Sequence, residues 1–410
     1  MFRLLLACCC WLALPGLLLA QRPDLKVLGR WRVIELPFTI ENDFIILNVV
    51  LDNVIPLRFI VDTGAENSVL LEKEITDLLD VDYQRKFEVR GSDVETPITA
   101  YLATGIDLRI ANRILARNRT MLVLEDNYFD FERITGVAVQ GILGVDFLMR
   151  FTVEFDYRRQ VIVLHEPNKW APGNQHEVAP ADFVRNRAYL NLPLLVATPP
   201  EKPRRLLLDT GAGLSVLLHT YGDSTDLDLP QQTVTTYIGN GLGGTLEGNV
   251  GRSRQLKIAG KELNNVITYF QPVDTVGASF LNERDGIIGN RLLKRFNLVV
   301  DFPRRKVWLK PVRRRWKQKF AYDRSGLSII AGGANLRNYR VATVVPGSPA
   351  AEQGIRVGDR IVGVNGQSAT FLTLGSIIRK LEGKVGKRIK LRIRRGGEYF
   401  VAELRLRDLI

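Results

Sequence analysis

The 410-residue sequence predicts a mainly β protein with two successive β lobes, followed by a small α+β domain. The first observation behind this prediction is an internal repeat, in which one strand-and-turn pattern returns 147 residues later. The second is that short apolar runs bounded by turn residues outnumber stretches with helical periodicity. The third is a change of composition near residue 320, where a strongly basic segment ends and a new pattern begins. A chain of this length is expected to form two or three domains.

The first twenty residues predict a secretory signal peptide. Arg3 gives a positive start, residues 4–20 are almost wholly apolar, and Ala20 offers a small residue for cleavage. The alternative is a lipoprotein signal with Cys8 as the attachment residue. The apolar stretch before Cys8 is only four residues long, which is too short to insert, so simple cleavage after Ala20 is favoured.

Cysteine usage points to an exported bacterial protein. Cys8, Cys9 and Cys10 all lie in the predicted signal, so the mature chain has no cysteine for a disulfide. Secreted animal enzymes of this size usually carry disulfides, whereas a cysteine-free exported protein fits a bacterial envelope better. We therefore expect the periplasm or cell envelope, or secretion. No later segment is apolar for long enough to span a bilayer, so no transmembrane segment is expected in the mature chain.

The net charge of +13 is concentrated in one segment. Nine basic residues and no acidic residue lie between Pro303 and Lys319. Export argues against a nucleic-acid partner, although such a charge would otherwise indicate one. We interpret this segment as a solvated strap between domains. The alternative is contact with an anionic envelope surface or an acidic partner.

The internal repeat defines the two lobes. Residues 56–65 (PLRFIVDTGA) return as residues 203–212 (PRRLLLDTGA), and Ser-Val-Leu follows each copy at the same spacing. Downstream, residues 141–144 (GILG) are answered by residues 286–289 (GIIG) at an offset of 145. The predicted boundaries are residues 21–166 for the first lobe, 174–312 for the second lobe, 313–320 for a basic linker and 321–410 for the C-terminal domain.

The segments inside each repeat are predicted to be strands. Residues 44–51 and 190–196 are apolar, have the composition of strands and are bounded by turn residues, so each should pair with the strand that enters its Asp-Thr-Gly. Residues 153–164 and 298–309 predict hairpins that turn at basic residues. The clearest helical periodicity covers residues 70–79.

The two Asp-Thr-Gly triplets predict a pair of carboxylates. Each triplet directly follows an apolar strand, and Gly64 and Gly211 permit the tight turn that places the carboxylate at the strand end. If the turns meet across a pseudo-twofold axis, Asp62 and Asp209 cannot both ionise and share one proton. The ionised member can then take a proton from a water while the protonated member polarises a peptide carbonyl. This chemistry needs no cofactor or metal, and the three histidines lack metal-ligand spacing.

Both repeats resemble the aspartic proteases and are closer to the retropepsins than to pepsin. Ala65 and Ala212 stand after the triplets, where pepsin-like enzymes usually have a hydroxyl residue. The resemblance implies a bilobal aspartic-protease fold of two retropepsin-like lobes. It also implies that an apolar Gly-x-x-Gly strand crosses behind each active-site loop, and that the two threonines join the loops through crossed hydrogen bonds. The implied support residues are Thr63, Gly64, Thr210 and Gly211.

The resemblance also implies a flap over the substrate in each lobe. Residues 237–244 of the second lobe are rich in glycine, which supplies the mobility that a lid needs. The equivalent stretch of the first lobe, residues 90–93, is a weaker match. We therefore expect one mobile lid and one stiffer wall. The predicted flap residues are Gly91, Tyr237, Gly239, Gly241, Gly243 and Gly244.

The C-terminal domain resembles bacterial PDZ domains over about 90 residues, through patterns such as GSPAAEQGIRVGDRI. The resemblance implies that an extended or C-terminal peptide adds as a strand beside residues 327–330, opposite a helix over residues 374–381. The alternative is that the domain only packs on the two lobes and holds them together. The loop implied to meet a terminal carboxylate is Gly326, Leu327, Ser328 and Ile329.

As a whole, the sequence resembles a bacterial exported aspartyl protease with a C-terminal PDZ domain. The predicted function is endopeptidase cleavage through the Asp62–Asp209 pair, with the PDZ domain recruiting protein or peptide substrates or regulating access. One alternative is a non-catalytic adaptor that binds peptides in the cleft and the PDZ groove. Another alternative is that lobes from two chains pair to form the active site. Since both half-sites lie in one chain, a monomer is expected to suffice. Without hydroxyl donors from Ala65 and Ala212, the pair should have raised pKa values and work at mildly acidic to near-neutral pH.

Overall fold

The computed structural model describes most of the chain. The described residues are 24–29, 31–79, 81–90, 97–221, 227–241, 244–273 and 284–410. The predicted signal peptide, residues 1–20, lies outside them. Within these ranges, no helix is both long enough and apolar enough to cross a membrane.

The first lobe consists mostly of strands. Its strands are β1 (Asp24–Val27), β2 (Val33–Glu41), β3 (Phe44–Leu51), β4 (Ile55–Val61), β5 (Val69–Leu70), β6 (Asp82–Arg90), β7 (Pro97–Ile110), β8 (Ile114–Leu124), β9 (Gly141–Leu143), β10 (Thr152–Asp156) and β11 (Val161–His165). Its helices are α1 (Lys73–Asp77), α2 (Phe131–Thr135) and α3 (Val145–Leu148).

The second lobe repeats this plan. Its strands are β12 (Glu177–Ala179), β13 (Ala181–Val184), β14 (Arg187–Leu195), β15 (Lys202–Asp209), β16 (Val216–Tyr221), β17 (Val234–Gly241), β18 (Gly244–Ile258), β19 (Lys261–Val273), β20 (Gly286–Gly289), β21 (Phe296–Asp301) and β22 (Lys306–Pro311). Its described helix is α4 (Asn290–Leu293).

The C-terminal domain is smaller and mixes strands with helices. Its strands are β23 (Leu327–Ile330), β24 (Tyr339–Val344), β25 (Arg360–Val364), β26 (Gln367–Ser368), β27 (Arg388–Arg395) and β28 (Glu398–Arg405), and its α-helices are α5 (Pro349–Glu352) and α6 (Leu374–Leu381). It has a hydrophobic core of its own. The predicted fold class, mainly β with a small α+β domain at the C-terminal end, is confirmed.

The same strand crossing occurs in both lobes. In the first lobe, β9 runs parallel to β4 and antiparallel to β5, so it lies between them. In the second lobe, β20 lies in the same way between β15 and β16. The two Gly-x-x-Gly segments are therefore the strands directly beside those that enter the Asp-Thr-Gly loops.

The helix predicted over residues 70–79 is shorter in the structure, where α1 covers Lys73–Asp77. Val69 and Leu70 form β5 instead, because this strand pairs with both β8 and β9. Both side chains are buried in the lobe. The start of the apolar pattern is therefore part of the sheet, and only Lys73–Asp77 form a helix.

The two lobes share one sheet, in which the strand order is β12-β22-β21-β10-β11-β2. The strands that join the lobes are β10 and β21, which pair antiparallel with Val153 opposite Val300 and Phe155 opposite Leu298. All four side chains are fully buried. They belong to one hydrophobic core that includes residues of both lobes. The lobes therefore form a single packed unit.

The interpretation of residues 303–319 as a solvated strap needs correction. Its first half contains β22, in which Val307 and Leu309 are fully buried, whereas Lys306 on the other face of the strand is exposed. Its second half folds over the buried side chain of Arg295, which donates a hydrogen bond of 3.2 Å to the carbonyl of Arg315. Carbonyl groups accept from a buried guanidinium, so the backbone is fixed while several basic side chains remain exposed.

Arg291 connects all three parts of the molecule. This side chain of α4 forms an ion pair with Glu382, the residue after α6 in the C-terminal domain. It also lies 3.9 Å from Asp43 in the turn between β2 and β3 of the first lobe. Lys294 pairs with the same aspartate. Because buried charges need partners, this cluster favours one arrangement of the three parts.

The close packing of β20 gives a first prediction. A Cβ atom at Gly286 would lie 1.9 Å from the carbonyl oxygen of Leu217 in β16. Because a backbone oxygen cannot move aside without breaking the sheet, Gly286→Ala should lower the free energy of unfolding by about 3 kcal/mol or more. Chemical denaturation measures the change.

The matched control is Gly397→Ala in the C-terminal domain, where a Cβ atom meets nothing within 4 Å. It should change the free energy of unfolding by less than about 1 kcal/mol. Equal stability of the two variants would show that β20 is not packed against β16 as described.

Candidate active site and peptide groove

The two aspartates of the repeat meet at the boundary between the lobes. Asp62 follows the end of β4, and Asp209 is the last residue of β15. Asp62 is 7% exposed and Asp209 is 1% exposed, so both carboxyl groups are almost removed from water. Their side chains are hydrogen-bonded to each other. The pairing that the repeat predicts is therefore present in the geometry of a single chain.

The glycines of the triplets make room for the carboxyl group of the opposite lobe. A Cβ atom at Gly64 would lie 2.8 Å from Cγ of Asp209. A Cβ atom at Gly211 would lie 2.3 Å from Cγ of Asp62. Neither glycine has a positive φ angle. These glycines were expected to permit a tight turn, whereas the structure shows that they are required by the close approach of the two loops.

The threonines of the triplets join the two loops by crossed hydrogen bonds. The hydroxyl of Thr63 donates to the carbonyl of Leu208 (2.7 Å) and accepts from the backbone N–H of Thr210 (3.1 Å). The hydroxyl of Thr210 donates to the carbonyl of Val61 (2.7 Å) and accepts from the N–H of Thr63 (3.0 Å). These four bonds are buried, and each crosses the boundary between the lobes. They fix the position of one aspartate relative to the other.

Burial raises the pKa of both aspartates above the usual value, because a carboxylate is poorly solvated in the interior. The negative charge of Asp62 raises the pKa of Asp209 further. Asp62 accepts backbone N–H bonds from Gly64 (2.7 Å) and Ala65 (3.0 Å), while Asp209 accepts one from Gly211 (2.8 Å). Two donors against one favour Asp62 as the ionised member and Asp209 as the member that keeps the proton.

Two arginines near the pair were not singled out from the sequence. The positive charge of Arg187 lowers the pKa of Asp62, and that of Arg284 lowers the pKa of Asp209, although burial outweighs both effects. Arg187 is 1% exposed at the start of β14. The first lobe has no equivalent arginine at the position set by the repeat offset, so self-similarity could not identify it.

Asn290 is a second support residue that the motif did not reveal. Its side-chain amide donates to the carbonyl of Thr210 (2.5 Å), and its side-chain oxygen accepts from the hydroxyl of Tyr157 (2.7 Å) in the first lobe. Asn290 is 1% exposed. It directly follows the second Gly-x-x-Gly segment, whereas valine stands at the same place in the first. This difference between the repeats is the signal that could have identified it.

The predicted lid is the hairpin of β17 and β18, in which Tyr237 pairs with Glu247. We call it the lid hairpin. Gly239, Gly241 and Gly244 lie in its strands, whereas Gly243 and the first-lobe residue Gly91 lie outside the described residues. The hydroxyl of Thr236 lies 3.4 Å from the hydroxyls of Ser328 and Thr343 in the C-terminal domain. The hairpin predicted to be the mobile lid is therefore in contact with the C-terminal domain.

The loop predicted to bind a peptide carboxylate already binds a carboxylate of the same domain, the side chain of Asp323. Asp323 accepts backbone N–H bonds from Ser325 (3.2 Å), Gly326 (2.5 Å) and Leu327 (3.2 Å). Burial raises the pKa of Asp323 to about 6, against the lowering effect of these hydrogen bonds. Ser328 and Ile329 continue into β23. The N–H groups of Gly326 and Leu327 are therefore already occupied.

The described residues contain no cluster of three or more histidine, cysteine, aspartate or glutamate side chains that could hold a metal ion. His219, one of the three histidines of the sequence, is 6% exposed in β16. Burial lowers the pKa of its imidazole to about 3, so this side chain is neutral at ordinary pH.

The crossed hydrogen bonds give a second prediction. Thr63→Val removes the hydroxyl and leaves the carbonyl of Leu208 and the N–H of Thr210 buried without these bonds. The free energy of unfolding should fall by about 2 to 4 kcal/mol, because unsatisfied buried polar groups are unfavourable. Thr63→Ser keeps the hydroxyl and should be nearly as stable as the parent. If denaturation finds the valine variant as stable as the serine variant, the hydroxyl does not join the loops.

Comparison with known proteins agrees with this architecture. A family model described as aspartyl protease matches residues 47–147 and 197–292, which include both Asp-Thr-Gly loops. A PDZ domain model matches residues 340–395. The C-terminal domain is thus a PDZ domain, a type of domain that binds peptides.

Three matches to individual proteins cover small parts of the chain. A protein of Brucella suis biovar 1 and one of Brucella melitensis biotype 1, both named as zinc metalloproteases, are 36% identical over 66 residues. That segment is 16% of this chain and 17% of each relative, so the chain spans about a sixth of the length of these curated relatives. A solved photosystem II D1 C-terminal processing protease matches 23% of this chain and 25% of its own, at 26% identity and a TM-score of 0.21.

The two segments that match the aspartyl protease model lie in the two lobes that meet at the paired aspartates. The segment that matches the PDZ model lies in the C-terminal domain. The chain therefore contains two segments that match the aspartyl protease family, followed by a C-terminal PDZ domain.

Proposed function

We propose that this chain is an aspartic-type endopeptidase in which Asp62 and Asp209 activate a water molecule to hydrolyse peptide bonds. The observation that carries the proposal is the buried, hydrogen-bonded pair of carboxyl groups fixed by crossed threonine bonds. A fixed pair that keeps one proton supplies a base and an acid at the same place. We further propose that the protein acts as a monomer on protein or peptide substrates after export to a bacterial envelope.

The reaction follows from the two protonation states. The carboxylate of Asp62 takes a proton from the water, whose oxygen attacks the carbonyl carbon of the substrate, and Asp209 gives its proton to the carbonyl oxygen. The tetrahedral intermediate then collapses. The C–N bond breaks, the proton held by Asp62 goes to the leaving amine, and Asp209 regains its proton from the hydroxyl of the intermediate. One proton of the water ends on the amine, and the pair returns to its starting protonation state, so no cofactor is consumed.

Removal of either carboxyl group is the first test of this function. Asp62→Asn and Asp209→Asn should each lower kcat by about 10³-fold or more, because the two groups act as a unit. The assay follows cleavage of a denatured protein by the mature chain, with a hydroxyl-bearing peptide inhibitor as an added control.

The double variant should be no worse than either single variant, since the second substitution removes nothing further. Unchanged turnover in either single variant would contradict the dyad. A parent chain that binds extended peptides but never cleaves them would instead indicate the adaptor alternative.

The raised pKa values give a prediction on pH. Activity requires one proton on the pair, so the rate falls when both groups are protonated at low pH and when both are ionised at high pH. Because burial raises both pKa values, both limbs of the profile should move upward and the optimum should lie between mildly acidic and near-neutral pH. An optimum of kcat/KM below about pH 3 would contradict this.

The free energy of unfolding should also depend on pH, and it should fall as the pH rises. The pKa of Asp209 in the folded chain is well above the usual value of 3.8, so its contribution is fully present below about pH 4 and is lost as the pH rises through the folded pKa. Asp209→Asn cannot ionise and should be more stable than the parent at pH 8, by at least about 1 kcal/mol, with a smaller gain at pH 4. Thermal denaturation at the two pH values measures both differences.

A further inference from the structure

Strand β23 forms one edge of the sheet in the PDZ domain. It pairs with β24 on one side, and on the other side it faces α6. An extended peptide binds a PDZ domain by adding a strand at such an edge. The backbone groups along this edge and in the preceding loop therefore decide which peptide can bind and when.

At its beginning, this edge carries an internal negative charge. Asp323 accepts hydrogen bonds from the N–H groups of Gly326 and Leu327, and its side chain also accepts from the hydroxyl of Ser325 (2.6 Å). A free peptide carboxylate would need the same N–H groups and would lie beside a like charge. The loop therefore disfavours a chain terminus and favours an uncharged internal segment.

At its far end, the edge is occupied by the first lobe. The N–H of Ala331, directly after β23, donates to the carbonyl of Arg133 in α2 (2.8 Å). Gly136, at the end of α2, packs against α6, since a Cβ atom there would lie 3.0 Å from Cβ of Leu374. The first lobe thus contacts both walls of the groove, and its carbonyl occupies a position where a peptide carbonyl would bind.

The same edge lies next to the lid hairpin. Thr236 of the hairpin lies 3.4 Å from Ser328 of β23 and from Thr343 of β24. A cavity of about 380 Å³ lies between the first lobe, the lid hairpin and the PDZ domain. It is lined by Arg133 and Ile134 of the first lobe, Tyr237 and Glu247 of the lid hairpin, and Ile330 and Arg340 of the PDZ domain. Movement of α2 away from β23 would therefore alter the surface on which the lid hairpin rests.

We propose that the groove of the PDZ domain is closed by α2 of the same chain, and that an internal extended segment of an unfolded protein opens it. The incoming segment takes the N–H of Ala331, displaces α2 and releases the contact between Thr236 and the PDZ domain. The lid hairpin is then free to open. The regulatory consequence rests on the proposed peptidase function, whereas groove closure and its preference for internal segments stand apart from it.

The first experiment measures peptide binding in the Asp62→Asn chain, so that cleavage does not interfere. The probes are two fluorescein-labelled peptides with the same alternating valine and threonine sequence, one amidated at the C-terminus and one with a free carboxylate. The amidated peptide should bind about tenfold tighter, because it avoids the charge of Asp323. Asp323→Asn keeps an oxygen that accepts the loop N–H bonds and should remove this difference.

Two matched variants test whether α2 closes the groove of the PDZ domain. Gly136→Ala places its methyl group against Leu374 and should push α2 away from the groove. Gly105→Ala has a similar positive φ angle (82° against 78° at Gly136), but its Cβ atom would meet nothing within 4 Å. The first variant should bind the amidated peptide at least about threefold tighter than the second, because the groove no longer has to be opened.

The coupling between peptide binding and the lid hairpin is measured by disulfide formation, without an assay of cleavage. In the mature chain, which has no other cysteine, Thr236→Cys and Thr343→Cys together should form a disulfide under mild oxidation. The amidated peptide should slow this reaction at least about threefold by separating the two strands. Tighter binding of the carboxylate peptide, no binding of either peptide, equal binding by the two glycine variants or an unchanged rate of disulfide formation would each overturn the proposal. None of these results depends on turnover, so loss of the peptidase function would be seen separately.

Discussion

The close approach of the two Asp-Thr-Gly loops is the constraint on which the rest of the structure depends. Each loop offers a glycine where the carboxyl group of the other lobe must fit, and a threonine whose hydroxyl bonds across the boundary. Two buried carboxyl groups in contact are unfavourable unless they keep a proton. Retention of that proton is also what makes the pair useful as an acid and a base. The geometry that limits stability is thus the geometry that supports the chemistry.

The larger architecture holds this contact in place. The shared sheet pairs β10 of one lobe with β21 of the other, and the hydrophobic core is continuous through both. Arg291 adds a charged connection from the second lobe to the first lobe and to the PDZ domain. The PDZ domain also touches the lid hairpin through Thr236. The hairpin predicted to cover the aspartates therefore adjoins the predicted peptide groove.

Much of the fold was predictable because the repeat reports local patterns twice. Residues 44–51 form β3, as the sequence predicts, and residues 374–381 form α6, as the resemblance to PDZ domains implies. Contacts between distant segments were less accessible. The basic residues around β22 hide a buried strand, and neither the bond from Asn290 to Thr210 nor the occupation of the PDZ loop by Asp323 follows from any periodicity. These features depend on which surfaces meet, which a single sequence does not specify.

The central claim is that Asp62 and Asp209 of one chain share a proton. Carbon-13 NMR of the aspartate carboxyl carbons across a pH titration tests it most directly, with Asp62→Asn and Asp209→Asn used for assignment. We predict that one of the two carboxyl groups keeps its proton well above the usual pKa of 3.8, and that the other titrates at a distinctly lower pH. Two independent titrations close to pH 4, with no effect of either substitution on the other group, would contradict it.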